Sequence, residues 1–310
     1  MMVKAAYLFS GQGQQFEGMG MDLYEAEPAY RALVDEASQI LGQDFSKQSV
    51  IDDEANVQLS IVILSLGIER ILRSEAITPT KFTGLSLGEY SALIAAGSFS
   101  VEDGLKVIAD RADYMAEAGR LNPGQMVAVL NASQDVMEEA MQQARLVGEV
   151  FPANYNTPKQ TVFGGDATGI TKFSELLKEA GVKRVVPIKM SVASHTPFMQ
   201  MASDHMQTRL ADVSVNNPST PVISNTIKTA FDADNIKATL VDQLIKPTYF
   251  TDCLNVIAAD PIDCLVEIGP GKALSGFAKK TLKNKDLPIF NVYSVETLQK
   301  LRDYLSNQEG

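Results

Sequence analysis

The sequence predicts an α/β protein: a mostly parallel sheet covered by helices on both faces, carrying an inserted ferredoxin-like subdomain of order β-α-β-β-α-β. Two observations point there. Short apolar runs alternate with helical segments at both ends of the 310-residue chain. Between Gln125 and Met190 the rhythm changes, and two strands follow each other directly with a helix on either side. The expected boundaries are 1–122 and 194–310 for a large α/β domain, and 123–193 for the insert.

Each element has its own signal. VKAAYLF (Val3 to Phe9) reads as a buried strand that runs into SGQGQQ and then a helix. SIVILSLGI (Ser60 to Ile68) lies in a buried helix, which Asn56 is expected to cap and which continues to about Glu75. Lys81 to Thr83 end a short strand before the turn at Gly84. Glu89 to Ala96 are helical, with Gly97 as the stop. Val101 to Glu117 form an amphipathic helix.

In the insert, QMVAVL is a strand, Gln134 to Leu146 a helix, GEVFPANYN and QTVFGG two strands joined at Pro158, Thr168 to Glu179 a helix, and KRVVPIKM a strand. Beyond it come a helix at Phe198 to Leu210, a strand at PVIS and a helix at Asn235 to Ile245. CLVEIG forms a strand ending in a Gly-Pro-Gly turn, then a helix, and PIFNVYS is a late strand.

Composition limits the function classes. The net charge of −11 argues against nonspecific nucleic-acid binding and requires a local basic patch for any anionic partner. Two cysteines, Cys253 and Cys264, make neither a disulfide framework nor a metal set, and they fit a reducing cytoplasm. MMVKAAYLFSGQGQQ has too short an apolar run for a signal peptide, and Ser60 to Ile68 is too short to span a bilayer. The expectation is a cytoplasmic protein without membrane, nucleic-acid or metal partners.

Gly84-Leu85-Ser86-Leu87-Gly88 matches G-x-S-x-G between a strand and a helix. This is either a nucleophile elbow or a structural glycine-rich turn. A serine needs a base, and the chain has two histidines. His205 lies mid-helix and reads as a surface position. His195, in KMSVASHTPF, follows a strand, where a base or a structural histidine would both fit. Asp103, Asp110, Asp113, Asp135 and Asp166 fall between serine and histidine, but none stands at a strand end, which favours a dyad with a backbone carbonyl orienting the ring. The Leu87 N–H suits one half of an oxyanion hole, and Gly11-Gln12-Gly13 suits the other or is a plain strand-to-helix turn. No G-K-S/T follows, so a phosphate loop is disfavoured. Arg111 sits at the border of an apolar helical stripe, either snorkelling to solvent or forking onto a carboxylate.

Together, GQGQQ, GLSLGEYSAL, IADRADYM, ANYNTPKQTVFGG, SVASHTPFM, PVISNT, QLIKPTYF and VEIGPGKAL resemble the malonyl-CoA:acyl carrier protein transacylases of fatty acid synthesis over nearly the whole chain. The resemblance implies an α/β-hydrolase-like core with a ferredoxin-like insert. It implies Ser86 as acyl-carrying nucleophile, His195 as base, Arg111 as partner of the malonyl carboxylate, and the Gln12 and Leu87 N–H groups as oxyanion hole. It also implies that the Tyr249 carbonyl orients the histidine, at a position where relatives often carry glutamine. The implied substrates are malonyl-CoA and acyl carrier protein, with coenzyme A entering only as the thioester and no cofactor. Leu85, Ser10 and Ala193 depart from residues common in relatives. Lys272, Lys279, Lys280, Lys283 and Lys285 form either a solvated helix face or a docking patch for the acidic carrier protein. Rival readings are an esterase or thioesterase, a noncatalytic carrier-binding scaffold, and a polyketide acyltransferase.

Overall fold

Near-continuous burial marks the strand that organises the first sheet: in β1 (Val3–Phe9) only Lys4 reaches solvent, as a central parallel strand requires. The computed structural model describes residues 3–75, 77–190 and 192–309. After β1 come α1 (Met21–Ala26), α2 (Pro28–Leu41), α3 (Gln48–Ile51) and α4 (Val57–Leu72). Pro28 opens α2, where its missing N–H costs nothing. The stretch Glu54–Leu72 is long and apolar enough to cross a bilayer, but 83% of an 18-residue window within it is buried, so it is a core helix. Asn56 does not cap α4. Its amide donates to Gln43 Oε1 at 2.9 Å and to the Val50 carbonyl at 3.0 Å, while Asp53 caps a 3-10 turn, Glu54–Asn56, that leads in. The helix ends at Leu72, short of Glu75.

The chain continues through β2 (Ile77–Gly84), α5 (Leu87–Ala95) and α6 (Val101–Leu121). Both β2 and α6 outrun their sequence patterns. The β2 strand starts before Lys81 because its first residues pair with β1 from Val3 onward, a constraint absent from local propensity. Then follow β3 (Gln125–Leu130), α7 (Gln134–Ala144), β4 (Val150–Thr157), β5 (Gln160–Gly165), α8 (Ala167–Glu179) and β6 (Arg184–Ile188). Ser133 and Asp166 cap α7 and α8 through their side-chain oxygens. The remainder is α9 (Gln200–Ala211), β7 (Val222–Ile223), α10 (Ile236–Ile245), α11 (Phe250–Ile257), β8 (Cys264–Ile268), α12 (Ala273–Thr281), β9 (Ile289–Val292) and α13 (Val295–Glu309).

The chain divides into two units. The first comprises residues 1–112, 212–236 and 252–310, and its sheet has the order β7-β2-β1-β8-β9 with every pair parallel. The second comprises 113–211 and 237–251, so it contains all of 123–193 and adds the end of α6, α9 and most of α10. Its sheet has the order β4-β5-β3-β6, antiparallel throughout, which is the ferredoxin-like arrangement.

In the second unit α7 and α8 close over one face of the sheet. Val127, Val129, Phe163, Ile170, Phe173 and Leu177 form the core between them. Phe173 is fully buried, and its ring centroid lies 4.6 Å from that of Phe163. Phe173→Ala is therefore expected to destabilise this unit by about 3–5 kcal/mol, from lost burial and the cavity left behind. Urea unfolding followed by near-ultraviolet circular dichroism measures it; a loss below about 1 kcal/mol would contradict this packing.

Candidate active site

In the first unit the carboxyl ends of three parallel strands come level. Phe9 of β1 pairs with Gly84 of β2 and with Ile268 of β8. Loops that leave these strands share one sheet edge, where open α/β sheets hold their ligands. Ser86 stands there with φ 53 and ψ −108, a backbone conformation that strains any residue with a β-carbon. It immediately precedes α5, and its side chain is half-buried.

Two glycines permit this turn. A β-carbon on Gly88 would lie 2.0 Å from the Phe9 carbonyl oxygen, and one on Gly84 would lie 2.0 Å from the Gly88 carbonyl carbon. The Leu85 N–H donates to the Phe9 carbonyl at 3.2 Å, which ties the elbow to β1. A buried clamp reinforces it. Glu89, wholly enclosed, accepts from the Asn225 N–H, and the Asn225 amide donates to the Gly84 carbonyl at 2.7 Å.

Arg111 is fully buried, which removes the snorkelling alternative. Its Nη1 donates to Gln58 Oε1, its Nη2 lies 3.4 Å from Ser86 Oγ, and its guanidinium sits 5.1 Å from the Tyr90 ring centroid. Burial pushes the Arg111 pKa down, while Tyr90 and Glu89 pull it back. Burial also pushes the Tyr90 hydroxyl up to about 12. The elbow thus carries a cation beside its hydroxyl, held by Gln58 from the first turn of α4.

The expected oxyanion donors belong to this same edge. Leu87 is the first residue of α5, so its N–H is among the first-turn donors without an intrahelical acceptor. Gln12 lies in the exposed loop that leaves β1, three residues beyond Phe9. The Leu87 N–H stands at the positive end of α5.

In the second unit His195 is buried and takes φ 62. Its motif begins at Ser191, which lies outside the described residues. The carbonyl at its ring is that of Gln243, 2.6 Å from Nδ1, and not that of Tyr249 as expected. The displacement has a simple cause. Gln243 is in the last turn of α10, whose carbonyls point beyond the helix end, whereas Tyr249 lies past that end and stacks on Tyr155 with centroids 5.1 Å apart. A carbonyl only accepts, so Nδ1 is the donor in this contact and carries a proton. His205 packs edge-on against Tyr114 on the surface.

The lysine patch is not one feature. Lys272 precedes α12 just past the carboxyl end of β8. The helix then runs back along the sheet for roughly 13 Å at 1.5 Å per residue. Lys279 and Lys280 stand in its last turn, and residues 283 and 285 precede β9, which begins level with Leu265 near the start of β8. These four lie at the sheet edge opposite the elbow. Lys285 Nζ donates to the Lys279 carbonyl at 2.7 Å and to that of Leu282, closing the end of α12. A spacing pattern cannot distinguish the two edges, because strand direction decides it.

Sequence reasoning missed Gln58, Glu89 and Asn225. Their signal was polarity in apolar surroundings: Gln58 and Glu89 each interrupt a buried helix, and Asn225 follows a buried strand.

Residues 6–306 match the family model described as acyl transferase domain. The malonyl CoA-acyl carrier protein transacylase of Bacillus subtilis (strain 168) is 35% identical over 96% of both chains. The crystal structure of MCAT from Streptococcus pneumoniae superposes with a TM-score of 0.91 at 38% identity, covering 97% of this chain and 99% of that one. A malonyl-transacylase solved in complex with its type II PKS acyl-carrier protein gives a TM-score of 0.89 at 29% identity, covering 96% and 98%.

Gly88→Ala should force β1 and the elbow apart, costing about 3 kcal/mol of stability and abolishing acylation of Ser86. Thermal unfolding and intact-mass analysis read both effects; a stable variant that still acylates would refute the close approach. With a strained serine between the two glycines and relatives aligned from end to end, the chain belongs to the malonyl-CoA:acyl carrier protein transacylase family of acyl transferases.

Proposed function

We propose that this acyltransferase moves a malonyl group from malonyl-CoA to the phosphopantetheine thiol of acyl carrier protein, supplying fatty acid elongation, through a malonyl ester on Ser86. The observation that carries this reading is the buried Arg111 guanidinium 3.4 Å from a strained serine hydroxyl. An esterase for neutral acyl groups gains nothing from such a cation. A malonyl ester on Ser86 has its free carboxylate only three bonds from Oγ, within the fork of the arginine.

In the first half-reaction Ser86 Oγ attacks the thioester carbonyl and His195 Nε2 takes its proton. The negative charge that develops on the carbonyl oxygen is met by the N–H groups of Gln12 and Leu87, each such donor lowering the barrier by about 3–4 kcal/mol. Collapse breaks the carbon–sulfur bond, and His195 returns the proton to the departing thiolate. In the second half-reaction the carrier thiol gives its proton to His195 and attacks the ester. The reverse sequence then releases Ser86.

Arg111 sets acyl choice. Acetyl-CoA brings no carboxylate, so it leaves the desolvated guanidinium without the anion it is shaped to hold. Arg111→Ala is expected to lower kcat/KM for malonyl-CoA by about 100-fold and to erase the preference over acetyl-CoA. Steady-state assays with both thioesters measure it, and a variant that kept the preference would remove Arg111 from this role.

The nucleophile has a separate test. Wild-type protein mixed with malonyl-CoA should gain one malonyl group by intact mass, persist in water and lose it rapidly on addition of holo carrier protein. Ser86→Ala should gain none. Rapid loss to water alone would make the chain a hydrolase.

A further inference from the structure

The last turn of α10 holds His195 twice. The Gln243 carbonyl meets ring Nδ1 at 2.6 Å, and the Leu244 carbonyl accepts from the His195 backbone N–H at 3.0 Å. In a continuing helix those carbonyls would accept from residues 247 and 248. Residue 247 is Pro247, which carries no N–H. Thr248 has one, but it donates elsewhere, to the Ala153 carbonyl at 2.9 Å.

That diversion is well built. The Tyr155 N–H donates to the Thr248 carbonyl at 2.8 Å, and Asn154 Nδ2 donates to Thr248 Oγ1 at 2.8 Å. Asn154 and Thr248 make a parallel bridge, and Tyr249 stacks on Tyr155 with ring planes 7° apart. Beyond Pro247 the chain thus becomes a short extra strand on β4, the edge strand of its sheet. The helical donor of each carbonyl is withdrawn by separate means, a missing N–H for Gln243 and a redirected one for Leu244.

We propose that Pro247 is a positioning residue for the transfer reaction: by denying the Gln243 carbonyl a helical donor, it dedicates that carbonyl to His195 Nδ1–H and fixes the tautomer that leaves Nε2 basic. This rests on the reading of His195 as base. Alanine at 247 would supply an N–H able to close the helical bond to Gln243. The ring would then share its acceptor, and its neutral form would redistribute toward protonation at Nε2, the atom that must take the serine proton.

Nitrogen-15 NMR of the imidazole rings tests this without recourse to activity. The chain has two histidines, so the spectrum contains two ring systems, and His205→Gln assigns them. Neutral His195 in the wild type is expected to carry its proton on Nδ1. In Pro247→Ala the resonances should shift toward an Nε2–H mixture, kcat should fall by roughly 10-fold, a fraction of what a general base contributes, and KM for malonyl-CoA should stay within about twofold. An Nε2–H tautomer in the wild type overturns the proposal whether or not the variant folds. A folded variant with an unchanged nitrogen pattern overturns it as well, even if kcat drops. Wild-type protein with the Nδ1–H tautomer but no malonyl transfer would instead refute the functional reading.

Discussion

The fold of the first unit turns on the contact between Gly88 and the carbonyl of Phe9. Adjacent parallel strands set β1 and β2 side by side, and only a residue without a β-carbon lets the helix after β2 begin against the end of β1. That approach leaves Ser86 between two fixed backbone segments with φ 53. Such a conformation costs on the order of 1–3 kcal/mol, and it persists because its surroundings permit nothing else. Glu89 and Asn225 serve this end: they place a buried carboxylate and amide where they hold the Gly84 carbonyl. Side-chain orientation is thereby settled before any substrate arrives, which is the condition for electrostatic stabilisation without reorganisation.

Helix ends supply the remaining electrostatics, and their signs match the charges that the proposed chemistry would create. Ser86 precedes the amino end of α5, where partial positive charge favours a developing oxyanion. His195 is held at the carboxyl end of α10, where partial negative charge favours a developing imidazolium. Neither arrangement requires a buried aspartate. A carbonyl orients the ring with less desolvation than a carboxylate would need.

What could be read from the sequence, and what could not, follows from the range of the forces involved. Strands and helices with strong periodicity were legible, as was the insert, because β-α-β-β-α-β order is a local pattern. Ser86 was legible because its glycines are its neighbours, and Arg111 because a charge at the edge of an apolar stripe demands a reason. Asn56 misled because a capping residue type is not a capping geometry; its amide was drawn to Gln43 and Val50. Tyr249 misled for a related reason: the orienting carbonyl belongs to whichever residue ends α10, and the proline that ends it carries no side-chain signal of that role. For the lysines, clustering in sequence does not show which edge of the sheet they occupy, because that depends on the course of α12 and β9.

Arg111 shows how selectivity follows from burial. An exposed arginine would be hydrated in the free enzyme and would gain little from a substrate carboxylate. This guanidinium has already lost its water, and it rests on a tyrosine ring and an amide oxygen, with the Glu89 charge near enough to pull its pKa up. The cost of desolvating it is met during folding, so on the proposed reading a carboxylate entering beside Ser86 finds a cation already stripped of water in a low dielectric. A neutral acyl group finds the same cation and offers it nothing. Discrimination therefore comes from the penalty on the wrong substrate as much as from attraction to the right one. The cation also stands next to the hydroxyl proposed to carry the acyl group, so on that reading choice of acyl group and formation of the ester occur at one place.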